Sequence, residues 1–161
     1  LVVDLDPGPG TGLAECVEVA LHARDSLEEH GISPVVPVTS GGSGLHLYAR
    51  LTGRRTSEQV AATAHELART WEAELPDLVV SRMSKDLRRG KVFVDWSQNN
   101  AAKTTVAPYS MRGRERPTVA APRTWEELTE GTPGQLTHVE VVQRLRDGLD
   151  PALPLHAGRG R

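Results

Sequence analysis

Only one cysteine, Cys16, occurs in the 161 residues. A disulfide framework and a cysteine-ligated zinc site are therefore excluded. Aromatic residues make up 4% of the chain, so its core must come mainly from Val, Leu and Ala. No apolar run approaches the roughly 20 residues that span a bilayer. No basic stretch leads into an apolar segment at the start, so a secretory reading finds no support either. Net charge is also nearly missing, at −2 with an isoelectric point near 6.3, and taken as a total this argues against a nucleic-acid partner. What is present, 38% hydrophobic and 25% charged residues in 17.5 kDa, suffices for one packed domain. The chain opens on Leu1, already inside a strand-like run, and reads as part of a longer protein.

The small total hides segregated charge. Residues 1–30 carry seven acids against one base, residues 82–123 ten bases against three acids, and residues 126–150 six acids against two bases. A basic block of this kind is either a phosphate-binding footprint or a solvated arginine-rich surface.

Along the chain, LVVDLD (1–6) predicts a strand broken by Pro7–Gly10. Thr11–His30 has helical spacing and stops at Gly31. VVPVTS (35–40) and LHLYARL (45–51) predict two strands joined by the glycine turn GGSG, with Pro37 suggesting an edge or a distortion. Ser57–Leu75 predicts a second helix with Ser57 as its cap, ended by Pro76. LVVS (78–81) is ambiguous, KVFVDW (91–96) is the clearest strand, and TTVAPYS (104–110) is expected to be the next. Residues 111–123 read as a basic loop, TWEEL (124–128) as a short helix with a Thr124–Glu127 capping box, and Thr137–Leu149 as a last helix. The fold class expected is α+β (mixed α/β), an antiparallel or mixed central sheet flanked by helices, over residues 1–150, with a loose tail at 151–161.

Three carboxylates stand out. Asp4 and Asp6 are two apart on a strand and so share a face. Asp95 ends an otherwise apolar strand, where an acid must be paired, exposed or metal-bound. If the strands are neighbours, the three form a cluster suited to hard divalent cations, of the type that holds two metals about 3.5–4 Å apart. The other readings are turn caps, and a dehalogenase-type phosphatase with Asp4 as nucleophile and Asp6 as general acid. The glycine turn carries Ser40, Gly41, Ser43 and His46, donors that suit a triphosphate or simply a hairpin tip. Arg88, Gln98, Lys103 and Arg112 are donors for phosphates or sugar hydroxyls, or ordinary surface groups. Trp96 and Tyr109 stack on bases or anchor packing, and the remaining histidines have no ligand spacing.

In this order the elements resemble the archaeo-eukaryotic primase superfamily, and more closely the polymerase domain of bacterial ATP-dependent ligase D. The matching stretches are VVDLDPGPG (2–10), PVTSGGSGLHLYARL (37–51) and the long run from Ser84 to Leu128. The resemblance implies an RRM-like primase-polymerase core whose catalytic and metal-binding residues are Asp4, Asp6 and Asp95, with two manganese or magnesium ions. It implies that Ser40, Gly41, Ser43 and His46 hold the incoming NTP or dNTP, together with Arg88, Gln98, Lys103 and Arg112. The family motif places Lys or Arg where this chain has Ser43. The implied function is addition of nucleotides, often ribonucleotides, to a DNA 3′ end during non-homologous end joining, in the bacterial cytoplasm at the nucleoid. The implied partners are DNA ends, an attached ligase domain and an end-binding protein such as Ku. A non-catalytic DNA-repair binding module is the remaining alternative.

Overall fold

The computed structural model describes residues 1–113 and 115–156. Arg114 of the basic block and residues 157–161 of the expected tail lie outside them.

Six strands form a mixed sheet: β1 (Val2–Pro7), β2 (Val35–Thr39), β3 (Leu45–Ala49), β4 (Val79–Val80), β5 (Val92–Asp95) and, later in the chain, β8 (Ala121–Pro122). Their spatial order is β4-β5-β1-β3-β2-β8, antiparallel throughout except for the β4–β5 pair. A separate ribbon pairs β6 (Met111–Arg112) with β7 (Thr118–Val119). Alternation divides the main sheet into two unlike faces. Val3, Leu5, Leu45, Leu47, Val92 and Val94 point one way into the main core. Asp4, Asp6, His46, Phe93 and Asp95 point the other way, as the cross-strand register requires.

Helices α1 (Leu13–Glu29) and α2 (Ser57–Glu74) cover the apolar face. Cys16, Val19, Ala20, Ala23 and Leu27 are buried from α1, and Leu67, Ala68 and Trp71 from α2. Small residues on α1 let it lie close to the strands, and Trp71 supplies the bulk that the scarce aromatics cannot provide elsewhere. Glu15 reaches back to the Gly12 N–H at 2.7 Å and closes the first turn of α1. The cap of α2 is Thr56 rather than Ser57: its hydroxyl accepts from the Gln59 N–H at 3.2 Å, and Gln59 Oε1 accepts from the Thr56 N–H at 2.9 Å.

The opposite face is covered only in part. Val36, Val38 and Ala120 form a small cluster with Tyr48, Val106 and Leu155 over the β2 end of the sheet. The β1–β5 end is left open. Pro37 fits inside β2 because its nitrogen faces the β8 side, where the short β8 pairs only with Val38 and Thr39, and its carbonyl accepts from the Arg123 N–H at 2.8 Å.

Four further expectations change. Residues 104–110 are not a strand: Pro108 and Tyr109 make a turn, with Tyr109 at φ 68°, a left-handed conformation that ends any extended run. The Tyr109 N–H bonds the Ala120 carbonyl at 2.7 Å, and its hydroxyl bonds Asp150, which hold the turn in place. The basic loop 111–123 instead contains β6, β7 and β8. The last long helix is shorter, α4 (His138–Arg146), with Val141 buried but Val142 and Leu145 exposed. The tail begins with a short helix, α5 (Leu153–His156), whose Leu155 packs on the small cluster. The short helix α3 (Trp125–Thr129) forms with its Thr124–Glu127 capping box as expected. No helix among the described residues is long and apolar enough to cross a membrane.

Leu5 is fully buried in the central strand, between the two site carboxylates but on the opposite face. Leu5→Ala is expected to lower unfolding free energy by about 2–5 kcal/mol in denaturant titrations. A loss under about 1 kcal/mol would mean that this core face collapses onto the gap.

Candidate active site

Asp4 is the centre of the open face. It sits directly across from Asp95 on β5 and from His46 on β3. Residues so paired have Cβ atoms about 4.5–5.5 Å apart, so their side chains interact. Asp4 and Asp95 are each 8% exposed, and His46 is 6% exposed. His46 Nε2 stands 3.2 Å from Asp4 Oδ1, an ion-pair distance without hydrogen-bond alignment, so that oxygen stays buried and unpartnered. His46 Nδ1 is likewise buried without a partner. Asp6 follows two residues on, opposite Phe93.

Burial and two neighbouring carboxylates disfavour the charged form of Asp6. The Asp6 carboxyl is pushed up to about 6, first by burial, then by the charges of Asp4 and Asp95, while His46 and Arg88 pull it the other way. Asp95 is compensated differently. Its Oδ1 accepts from the Ser97 N–H at 3.0 Å and from the Ser97 hydroxyl, and its Oδ2 accepts from Gln98 Nε2 at 3.1 Å and Lys103 Nζ at 3.3 Å. It also caps the 3-10 turn Trp96–Asn99. Asn99 bonds both the N–H and the carbonyl of Val2, at 2.8 and 2.7 Å, and so ties that turn to the start of β1.

The glycine turn is a rigid rim. The Ser40 hydroxyl accepts from the Gly42 and Gly44 N–H groups at 3.1 and 3.2 Å, which leaves its own proton free to donate. Gly44 lies so close to β1 that a Cβ there would meet the Leu5 carbonyl oxygen at 2.3 Å. Gly41, at φ +70°, lies against the Arg112 side chain, where a Cβ would meet Arg112 Cγ at 2.5 Å. Gln135 clamps the turn from outside, accepting from the Gly41 N–H at 2.7 Å and donating to the Gly44 carbonyl at 3.3 Å.

Together these surround a polar pocket of about 250 Å3. Of the residues singled out from sequence, Asp4, Asp6, Ser40, Ser43, His46, Gln98 and Arg112 line it. Gly41 supports the rim, Asp95 and Lys103 adjoin it through Gln98 and Ser97, and Arg88 lies at the Asp6 end, stacked 3.6 Å over Phe93 and bonded to the Met83 carbonyl at 2.9 Å. Trp96 and Tyr109 are packing anchors: Trp96 bonds the Ser81 carbonyl at 3.1 Å and stacks on His65. Sequence reasoning missed Ser97, Gln135 and the wall formed by Thr104, Thr105 and Val106. The Ser97 N–H had a legible signal, since an Asp side chain readily accepts from the backbone N–H two residues on, an Asx-turn. Gln135 had none, being far from the turn in sequence.

Among the described residues, no three His, Cys, Asp or Glu side chains are already gathered as a metal centre. The donor set still fits a hard divalent cation. Asp4 offers an unpartnered buried oxygen, Asp6 lies on the same face, and both are oxygen donors of the kind such ions take. Asp95 would have to exchange one of its present donors for the ion.

The raised carboxyl of Asp6 fixes a sign for stability. Between about pH 4 and pH 6 the native chain holds a proton that the unfolded chain has lost, so metal-free stability falls as pH rises through this window. Allowing for solvent screening, the penalty is roughly 1–2 kcal/mol at neutral pH. Asp6→Asn should be more stable than the parent at pH 7 and show no such advantage near pH 3.5, in denaturant titrations with chelator present. Parallel pH profiles for the two proteins would contradict this assignment.

Comparison with known proteins places these features in one family. The profile described as LigD, primase-polymerase domain, matches residues 1–152. The chain is 52% identical over 149 residues to the multifunctional non-homologous end joining DNA repair protein LigD of Mycobacterium tuberculosis, covering 92% of this chain and 20% of that one. It is 46% identical over 157 residues to the Mycolicibacterium smegmatis LigD, covering 98% and 20%. It thus spans about a fifth of the length of these relatives. Among solved structures, the polymerase domain of Mycobacterium tuberculosis ligase D in complex with DNA superposes with a TM-score of 0.93 at 49% identity, covering 98% of this chain and 55% of that one. The phosphatase alternative falls away, and the mixed sheet, the paired carboxylate strands and the glycine rim have a common explanation: the chain belongs to the LigD primase-polymerase domain family.

Proposed function

We propose that this chain carries the nucleotidyl-transfer site of a DNA-end polymerase acting in non-homologous end joining. The observation that carries the reading is the register of β1: Asp4 has Asp95 on one side and His46 on the other, with Asp6 next along the same face, at the floor of a polar pocket. Family membership and the DNA-bound relative support it.

In this reading Asp4, Asp6 and Asp95 would hold two manganese or magnesium ions. Such ions, when bound, lower the pKa of the attacking 3′-hydroxyl and neutralise the triphosphate. The primer 3′-hydroxyl releases its proton to solvent, its oxygen forms a bond to the α-phosphorus, the bond to the bridging oxygen breaks, and pyrophosphate leaves. The free proton of the Ser40 hydroxyl and the Ser43 hydroxyl on the same rim would bind phosphate oxygens. His46, 3.2 Å from Asp4, presents its ring to the pocket and places a potential positive charge beside that carboxylate. Arg112 and Arg88 supply charge at two ends of the pocket, and Gln98 is placed for a sugar hydroxyl. The excess of bases in residues 82–123 suits a DNA backbone. DNA ends, an attached ligase domain and an end-binding protein such as Ku are the partners of this reading, and the bacterial nucleoid is its place.

Asp6→Ala and Asp95→Ala are each expected to cut primer extension at least a hundredfold in manganese, while salt-sensitive DNA binding persists. Robust extension by either variant would overturn the assignment. DNA binding by the parent chain with no extension and no nucleotide binding would instead favour a non-catalytic binding module.

Ser43 gives a separate test. A cation at this position of the rim would add a charged hydrogen bond to the triphosphate, of about 1.5–3 kcal/mol in a dry site and less in an open one. Ser43→Lys is expected to tighten nucleotide binding roughly tenfold in equilibrium titrations. Unchanged affinity would show that Ser43 faces no phosphate.

A further inference from the structure

The four donors on Asp95 do more than fix its direction. An ionised carboxylate offers about four lone-pair sites. Ser97 takes those on Oδ1 twice over, and Gln98 and Lys103 share Oδ2. A cation shared among the three carboxylates therefore finds no free oxygen on Asp95 and must displace a donor.

Geometry singles out which one. Ser97 lies two residues away in the turn that Asp95 itself caps, so its bonds are local and fixed by the backbone. Gln98 is held from behind by the Thr105 hydroxyl, 3.3 Å from its Oε1. Lys103 reaches in from the segment after the turn, where its ammonium also donates to the Ser97 hydroxyl oxygen; its side chain is 41% exposed, and its contact with Asp95 is the longest of the set, at 3.3 Å. It is also the only one of the four donors that carries a full positive charge, the property that a divalent ion supplies in its place. A flexible four-carbon stem lets an ammonium leave without disturbing the backbone.

We propose that Lys103 is a resident counter-ion for Asp95, which a divalent cation must displace to complete the site. The inference rests on reading the three carboxylates as the cation site. Asp4 and Asp6 have no such lysine: Asp4 meets only the imidazole of His46, and no ion pair to Asp6 is formed among the described residues. The protein thus neutralises the one carboxylate on β5 with its own cation, and this pairing sets a threshold for metal entry.

The test is binding of manganese ions to the chain without nucleotide or DNA, followed by the electron paramagnetic resonance signal of free manganese. Lys103→Met is expected to bind manganese roughly three- to tenfold more tightly than the parent, because the competitor for Asp95 is gone. Lys103→Arg, which keeps the charge, is expected to bind no more tightly than the parent. Lys85→Met, which removes an exposed charge outside the site, is expected to change affinity less than twofold. Equal or weaker binding by Lys103→Met overturns the proposal, and so does equal tightening by Lys85→Met. If the parent binds no manganese at all, the carboxylate reading fails first and the proposal falls with it. If the parent binds and Lys103→Met matches it, the proposal fails alone.

Discussion

Asp4 and Asp95 face each other across two hydrogen-bonded strands in the middle of the sheet, both nearly buried. Like charges directly opposite are destabilising, and the cost grows as water is removed. Most of what surrounds them answers that cost. His46 is brought alongside Asp4 from the other neighbouring strand, Ser97, Gln98 and Lys103 close on Asp95, and Asp6 relieves the remainder by holding a proton more firmly than a free aspartate does. A chain that needed only stability would place Thr or Val at these positions, as it does elsewhere in the sheet. The retention of three acids on one face is a sign that the charge is kept for something outside the protein.

The division of the sheet into two unlike faces makes this tolerable. The strain of the acidic face is offset by an unusually regular apolar face, where Val, Leu and Ala pack against two capped helices with Trp71 filling the largest space. β1 belongs to both: Val3 and Leu5 anchor it in the core while Asp4 and Asp6 alternate with them. A one-residue slip in register would bury both acids among the helices and expose the two apolar residues, so the hydrophobic pattern itself holds the carboxylates in place. The site is in this sense positioned by the core on the other side of the same strand.

Much of this was legible in the sequence. Strict alternation in LVVDLD fixes the face shared by Asp4 and Asp6, and the helices follow from apolar spacing and from capping residues. The pairing of Asp95 with Asp4 required only that two strands be neighbours. Other features were not legible because they depend on contacts distant in sequence. Gln135 clamps the glycine rim across more than ninety residues. The stretch 104–110 has strand-like composition, but the left-handed backbone at Tyr109 is held by Ala120 and Asp150, and no local signal reports those partners. The turn after β5 misled for the opposite reason: QNN looks like a loop of free polar donors, yet Asn99 spends its amide on the Val2 backbone, and Gln98 spends part of its own on Asp95.

Charge shows the same dependence on placement. A net of −2 is uninformative because acids and bases are used in different places. The acids of β1 and β5 converge on one small face, where burial gives each charge weight. Most bases of residues 82–123 remain at the surface, where salt screens them and a long polyanion can collect them. Two that come close to the acids, Arg88 and Lys103, act on different carboxylates and in different ways: Arg88 stays stacked on Phe93 and lowers the Asp6 carboxyl from a distance, whereas Lys103 touches Asp95 directly. A fixed charge can only bias a site, while a charge on a flexible stem can be exchanged for another. The second arrangement gives a buried carboxylate a partner without building that partner permanently into the fold.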